Sequence, residues 1–163
     1  MNETKSHGEG GRAALAGEAL ELIAASPRGV LCTLLPGGGE PYGSLVDILP
    51  LPDGDAVMFL SGLAEHRKNL DADPRGSLLL GPAIGSADAL NEARVAILGR
   101  AERVEDRSEY RDAYLQAHPG SSAFIDFPDF AFYRLRAEKA RYIAGFGRMG
   151  WFPKDALGSV EAE

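Results

Sequence analysis

The chain has 163 residues, enough for one domain with a sizeable core. Its formal net charge of −7 argues against a general nucleic-acid binder, because phosphate backbones demand a basic surface. Cys32 is the single cysteine, so neither a disulfide within the chain nor a cysteine-based zinc cluster can form.

Residues 1–12 are polar and glycine-rich, with no apolar centre of the kind a secretory signal or a membrane span needs. They read as a flexible tail ahead of a single domain over 13–163, with the cytoplasm as the default compartment. Leu15, Ala19, Leu22 and Ile23 repeat at helical spacing and predict a helix over 13–26. Residues 30–35 form an apolar run that reads as a buried strand, with Cys32 as a packing thiol. A Pro-Gly-Gly-Gly turn leads to a second extended run over 42–49, and Pro52-Asp53-Gly54 to a third over 56–60. Residues 76–80 are wholly apolar and predict a strand buried on both faces. A long strand follows over 94–104, where Gly99 marks a bulge or a barrel corner. A helix over 106–118 carries the stripe Tyr110, Ala113, Tyr114 and Ala117, and 121–127 hold a further helical turn. Two more strands, 130–136 and 140–146, precede the tract Gly145-Phe146-Gly147-Arg148-Met149-Gly150-Trp151-Phe152. Short strands joined mostly by turns predict an antiparallel barrel with peripheral helices rather than a doubly wound sheet.

The segment from Phe59 to Pro74 carries the densest chemistry. A strand ends at Ser61, and a short helix rich in His, Arg, Lys and Asn begins. Ser61 is placed to cap the first-turn amides. Ser61, Glu65, Lys68 and Asn69 share a helix face, with His66 and Arg67 to either side. A hydroxyl, an imidazole and cations at a helix start suit an anion, and phosphate is the natural guest. The same residues also suit a solvated helix. With histidines only at positions 7, 66 and 118, no Ser-His-Asp set can be argued, and no metal site is expected.

Four pieces in order resemble a known family. They are Gly39 to Val46; Leu60-Ser61-x-Leu63-Ala64-x-His66-x-x-Asn69-Leu70 with Asp73-Pro74; Arg94 through Gly99-Arg100-Ala101; and Arg141-Tyr142-x-x-Gly145-Phe146-Gly147-Arg148. The chain is similar, from about Gly17 to Trp151, to the flavin-binding split barrels related to pyridoxamine 5′-phosphate oxidase, nearest the haem-utilisation branch. The resemblance implies a six-stranded antiparallel split barrel that forms a homodimer and holds FMN at the subunit boundary. FMN is expected ahead of haem, since no histidine follows His118. Ser61, His66 and Lys68 or Asn69 are then placed on the phosphate, with Ser44 beside them and Arg148 near the flavin ring. The implied activity is that of a flavin-dependent oxidoreductase acting on a small molecule. A flavin or haem binding protein without turnover is the alternative. In either case the cofactor, not a side chain, would carry the redox chemistry.

Overall fold

A computed structural model of the protein describes residues 4–158. Eight strands form one antiparallel sheet: β1 (Arg28–Leu34), β2 (Pro41–Asp47), β3 (Leu49–Pro50), β4 (Ala56–Ser61), β5 (Arg75–Leu80), β6 (Arg94–Arg103), β7 (Phe130–Gly145) and β8 (Arg148–Pro153). They lie in the order β2-β1-β5-β6-β7-β4-β3, with β8 paired to β7. β2 and β3 stand at opposite edges of that order, yet only Ile48 separates them along the chain. The sheet therefore has to curl until its edges approach, which makes a split barrel. Ile48 is fully buried, and its amide donates to the Pro27 carbonyl at 2.9 Å.

Side chains alternate across each strand, so every second residue turns into the barrel. Leu31, Leu78, Leu80, Ile97, Met58 and Leu135 fill the interior from five strands. On the outer side, α3 (Ser108–Ala117) and a 3₁₀ turn over Pro119–Ala123 cover β4 and the first half of β7. Val57, Phe59 and Phe132 pack there against Tyr110, Tyr114 and Ile125. The rings of Phe59 and Phe132 lie 4.6 Å apart and those of Phe59 and Tyr114 5.7 Å, so this second core is largely aromatic. Its burial pushes the Tyr114 hydroxyl up to about 12.

Gly99 is where the barrel bends. Leu98 pairs with Lys139 but Gly99 with Ala137, which leaves Glu138 as the extra residue of a bulge. A Cβ at Gly99 would lie 1.9 Å from the Arg136 carbonyl oxygen, so only glycine lets the strands meet there. The runs predicted as separate strands over 130–136 and 140–146 are thus one strand, bent at Glu138. Gly145 and Gly147 then turn the chain at φ of 129° and 79°, the left-handed region that glycine tolerates. That turn makes the glycine-rich ending into β8. With β8 and the two-residue β3, the strand count is eight where six was expected.

Other expectations need correction. Helix α1 runs Thr4–Ala25 and so begins ahead of residue 13, through residues set apart as a tail. Its glycines hide the helical pattern in the sequence, but Arg12 reaches the Trp151 carbonyl at 2.8 Å and lies over the Phe152 ring. β5 is not buried on both faces: Leu78 and Leu80 are inside, while Leu79 is 45% exposed. Cys32 is half-buried and outward-facing rather than a core thiol. Asp55, at the entry to β4, is the deepest charge. It accepts hydrogen bonds from Arg134 Nε at 2.8 Å, from the Ala137 amide at 2.9 Å and from Lys154 of α4 (Lys154–Leu157). Among the described residues, no helix is long and apolar enough to cross a membrane.

Candidate functional site

Helix α2 (Glu65–Ala72) follows β4 through the turn Ser61–Ala64. The Ser61 hydroxyl accepts from the Leu63 amide at 3.2 Å and donates to Asp129 Oδ2 at 3.2 Å. Its expected role as helix cap is therefore corrected: Ala64 holds the cap position, and no side chain caps the first turn. Arg67 locks the helix in place. Its Nε donates to the Tyr133 hydroxyl at 3.1 Å, and its Nη1 donates to the carbonyls of Leu60 and Asp129. Tyr133 in turn donates to Asp71 at 2.5 Å. Gly62 keeps the turn tight, since a Cβ there would meet the Asp129 carbonyl at 3.0 Å.

Of the six residues assigned to a cofactor from the sequence, Ser61, His66, Lys68 and Asn69 lie on the β4–α2 segment, while Ser44 stands on β2 and Arg148 on β8. Burial pushes the His66 imidazole below its ordinary value, which favours its neutral form. Lys68 lies 3.9 Å from Glu65 on the helix surface. Asn69 points inward, not at the surface: it is fully buried and donates to Thr33 Oγ1 at 3.0 Å. Ser44 also faces the barrel side, opposite Leu31. The Ser44 hydroxyl and Asn69 Oδ1 are buried without a hydrogen-bond partner among the described residues. Arg148 stands on β8 and donates to Glu18 of α1 at 2.6 Å, away from α2. A phosphate dianion at the α2 turn would thus sit against the Asp129 carboxylate. The nearest guanidinium, Arg67, is already engaged by three oxygens. The expected phosphate cradle does not fit these side chains as they stand.

The outer face of the sheet is a different matter. α3 covers it over β4 and early β7, but no helix among the described residues covers it from β2 to β8, where only the loop over 81–93 borders it. Register lines up its outward residues. Leu45, Val30, Leu79, Ala96, Arg141 and Trp151 follow one another across six strands. Next to them run Gly43, Cys32, Ser77, Leu98 and Lys139. Leu45 is 66% exposed, Leu79 45% and Trp151 47%, so water meets large apolar groups along this face. Two cavities open on this face. One, of about 370 Å³, is lined by Cys32, Leu34, Pro41, Leu98, Arg75 and Arg100, among others. The other, of about 440 Å³, is lined chiefly by Val30, Leu45, Leu79, Ile84 and Leu90, with Arg94 at its side. The sequence places apolar residues at these positions, but their pattern is also that of a doubly buried strand. Among the described residues, no group of three or more His, Cys, Asp or Glu stands together as a metal site.

A curled antiparallel sheet with helices at its ends and on half of its outer face defines the split-barrel class of the pyridoxamine phosphate oxidases. The chain belongs to the Pyridoxamine 5′-phosphate oxidase family, whose pattern matches residues 15–144. It is 37% identical, over 109 residues, to the chloroplastic non-canonical heme oxygenase HOZ of Arabidopsis thaliana. That match covers 66% of this chain and 33% of the plant protein. A heme binding protein from Mycobacterium smegmatis superposes with a TM-score of 0.81 at 35% identity, covering 91% of this chain and 61% of that one. Campylobacter jejuni ChuZ superposes at 0.77 with 18% identity, covering 93% of this chain and 66% of its own, a likeness of fold. The chain thus spans a third of the plant relative's length and about three fifths of the mycobacterial one.

Proposed function

We propose that two copies of this chain meet across the bare outer face and hold a flat anionic cofactor between them, and that this cofactor is haem. The observation that carries the reading is the row Leu45, Val30, Leu79, Ala96 with Trp151 at its end. A single chain leaves this apolar row in water, and a second copy would cover it. Cations flank the row, which suits a ligand with an apolar body and acidic edges. The α2 turn, in contrast, sets the Asp129 carboxylate beside Ser61, and its cations Arg67 and Lys68 already have oxygen neighbours. Two relatives above 30% identity are named for haem, and they support the same reading. Bound haem would supply the iron chemistry; this chain's part is to form the flat cleft, exclude water and orient the macrocycle.

A flavin mononucleotide-dependent oxidoreductase is the second reading, favoured by the uncapped first turn of α2 beside Ser61. The experiment titrates the purified protein with haemin and, separately, with FMN, following absorbance and retention through gel filtration. A shifted Soret band, stoichiometric haemin and a mass of two chains are expected. The variants His66→Ala and Lys68→Ala should bind haemin within about twofold of wild type. FMN retained by the wild type but lost in both variants, with haemin washed away, would return the site to α2.

A further inference from the structure

Three arginines stand directly opposite one another on adjacent strands. Arg75 of β5 pairs in register with Arg100 of β6, and Arg100 with Arg136 of β7. All three turn outward. Like charges directly opposite in a sheet destabilise it, and such a row in a chain of net charge −7 is not there for solubility alone. The two outer arginines are neutralised. Arg75 grips Asp73 through Nε at 3.0 Å and Nη2 at 2.6 Å, and Arg136 Nε meets Glu102 at 2.9 Å. The Arg100 side chain, between them, has no hydrogen bond or ion pair among the described residues; its field reaches Asp73. Arg100 lines the cavity of about 370 Å³, together with Lys139 and Glu138. The cavity's walls at Leu34, Pro41, Cys32 and Leu98 are apolar.

We infer that this cavity is an oxyanion-recognising subsite, in which Arg100 and Lys139 take the carboxylate or phosphate edge of a flat ligand whose body lies on Leu34 and Leu98. A free planar guanidinium can meet a carboxylate through two parallel N–H donors, which a point charge cannot. Arg75 and Arg136 are each engaged by their own carboxylate, which leaves the Arg100 side chain as the uncommitted cation of the row. The identity of the ligand rests on the proposed haem reading, whose porphyrin carries two carboxylates; the existence of the subsite does not.

The chain contains a single tryptophan, Trp151, and Lys139 Nζ lies 5.4 Å from its ring centroid. Trp151 fluorescence therefore reports on the rim of the cavity. The test titrates wild type, Arg100→Gln and Arg100→Lys with inorganic pyrophosphate, haemin and haemin dimethyl ester. Arg100 is surface-exposed, so both variants should melt as wild type does. Pyrophosphate should change Trp151 emission in wild type and fail to do so in Arg100→Gln. Haemin should bind Arg100→Gln about tenfold or more weakly, the scale of a lost charge-assisted hydrogen bond. Arg100→Lys should recover only part of that loss. The dimethyl ester should bind wild type and Arg100→Gln alike. If pyrophosphate acts equally on wild type and Arg100→Gln, or on neither, the subsite is wrong. If haemin and its ester bind wild type with equal affinity, the subsite does not serve the ligand. Haemin that fails to bind wild type while pyrophosphate still depends on Arg100 sinks the haem reading and leaves the subsite standing.

Discussion

Replacing Asp55 with asparagine should cost the protein about 3 kcal/mol at neutral pH, the lower end of what breaking a buried ion pair costs. Asp55 is 1% exposed and binds three donors: Arg134, the Ala137 amide and Lys154. Asparagine keeps the shape but removes the charge, and its amide group would present a donor to donors. The cost stays at the lower end because both cations keep other partners. Arg134 also reaches Asp53 at 2.7 Å and the Tyr110 hydroxyl at 2.9 Å, and Lys154 reaches the Asp53 carbonyl at 2.8 Å. For a chain of this size, such a loss lowers Tm by about 6–12 °C. Burial alone would raise the Asp55 carboxyl, but hydrogen bonds from Lys154, Ala137 and Arg134 outweigh it and hold the group below its ordinary value. A carboxylate depressed in the folded state stabilises in full above its unfolded value of about 3.9, and that contribution is lost as pH falls through the folded value. Urea unfolding of wild type and Asp55→Asn, followed by circular dichroism from pH 7 down to pH 3, checks this. The gap should be widest at neutral pH and narrow below about pH 4. A gap under about 1 kcal/mol at pH 7, or one that widens on acidification, refutes the reasoning.

Gly99→Ala should cost at least about 1–3 kcal/mol, because its Cβ would force the Arg136 carbonyl away and open the bulge; the urea midpoint measures it. Arg67→Met should leave the sheet intact but raise amide hydrogen exchange across α2, since three acceptors lose their donor. Leu79→Glu, on the bare outer face, should reduce the light-scattering mass to one chain while changing Tm little, because Leu79 is half in water within a single chain.

The barrel is legible in the sequence because its inner residues repeat with period two and its turns carry Gly and Pro. β7 is not, since Arg136, Glu138 and Lys139 read as a break in an apolar run when Glu138 is a bulge residue and Arg136 and Lys139 are outward residues to either side of it. β8 is hidden for the opposite reason: Gly145, Gly147 and Gly150 suggest a loop, and only pairing with β7 makes a strand of them. At α2, Ser61, His66 and Lys68 are near neighbours along the chain. The sequence gives no sign that Asp129, distant in sequence, arrives at Ser61 and changes the charge of the turn. The arginine row across β5, β6 and β7 is likewise a product of register, which no single stretch of sequence encodes.

β7 bends at Glu138 just where its outer side changes character. Before the bend it lies beneath α3 in the aromatic core; past it, the strand joins the uncovered wall with Lys139 and Arg141. One continuous backbone therefore anchors the aromatic core and also carries the proposed binding face. Whatever settles on that wall presses on a strand pinned at its far end. Occupancy should then be felt as resistance to unfolding throughout the molecule, not as the stiffening of a single loop.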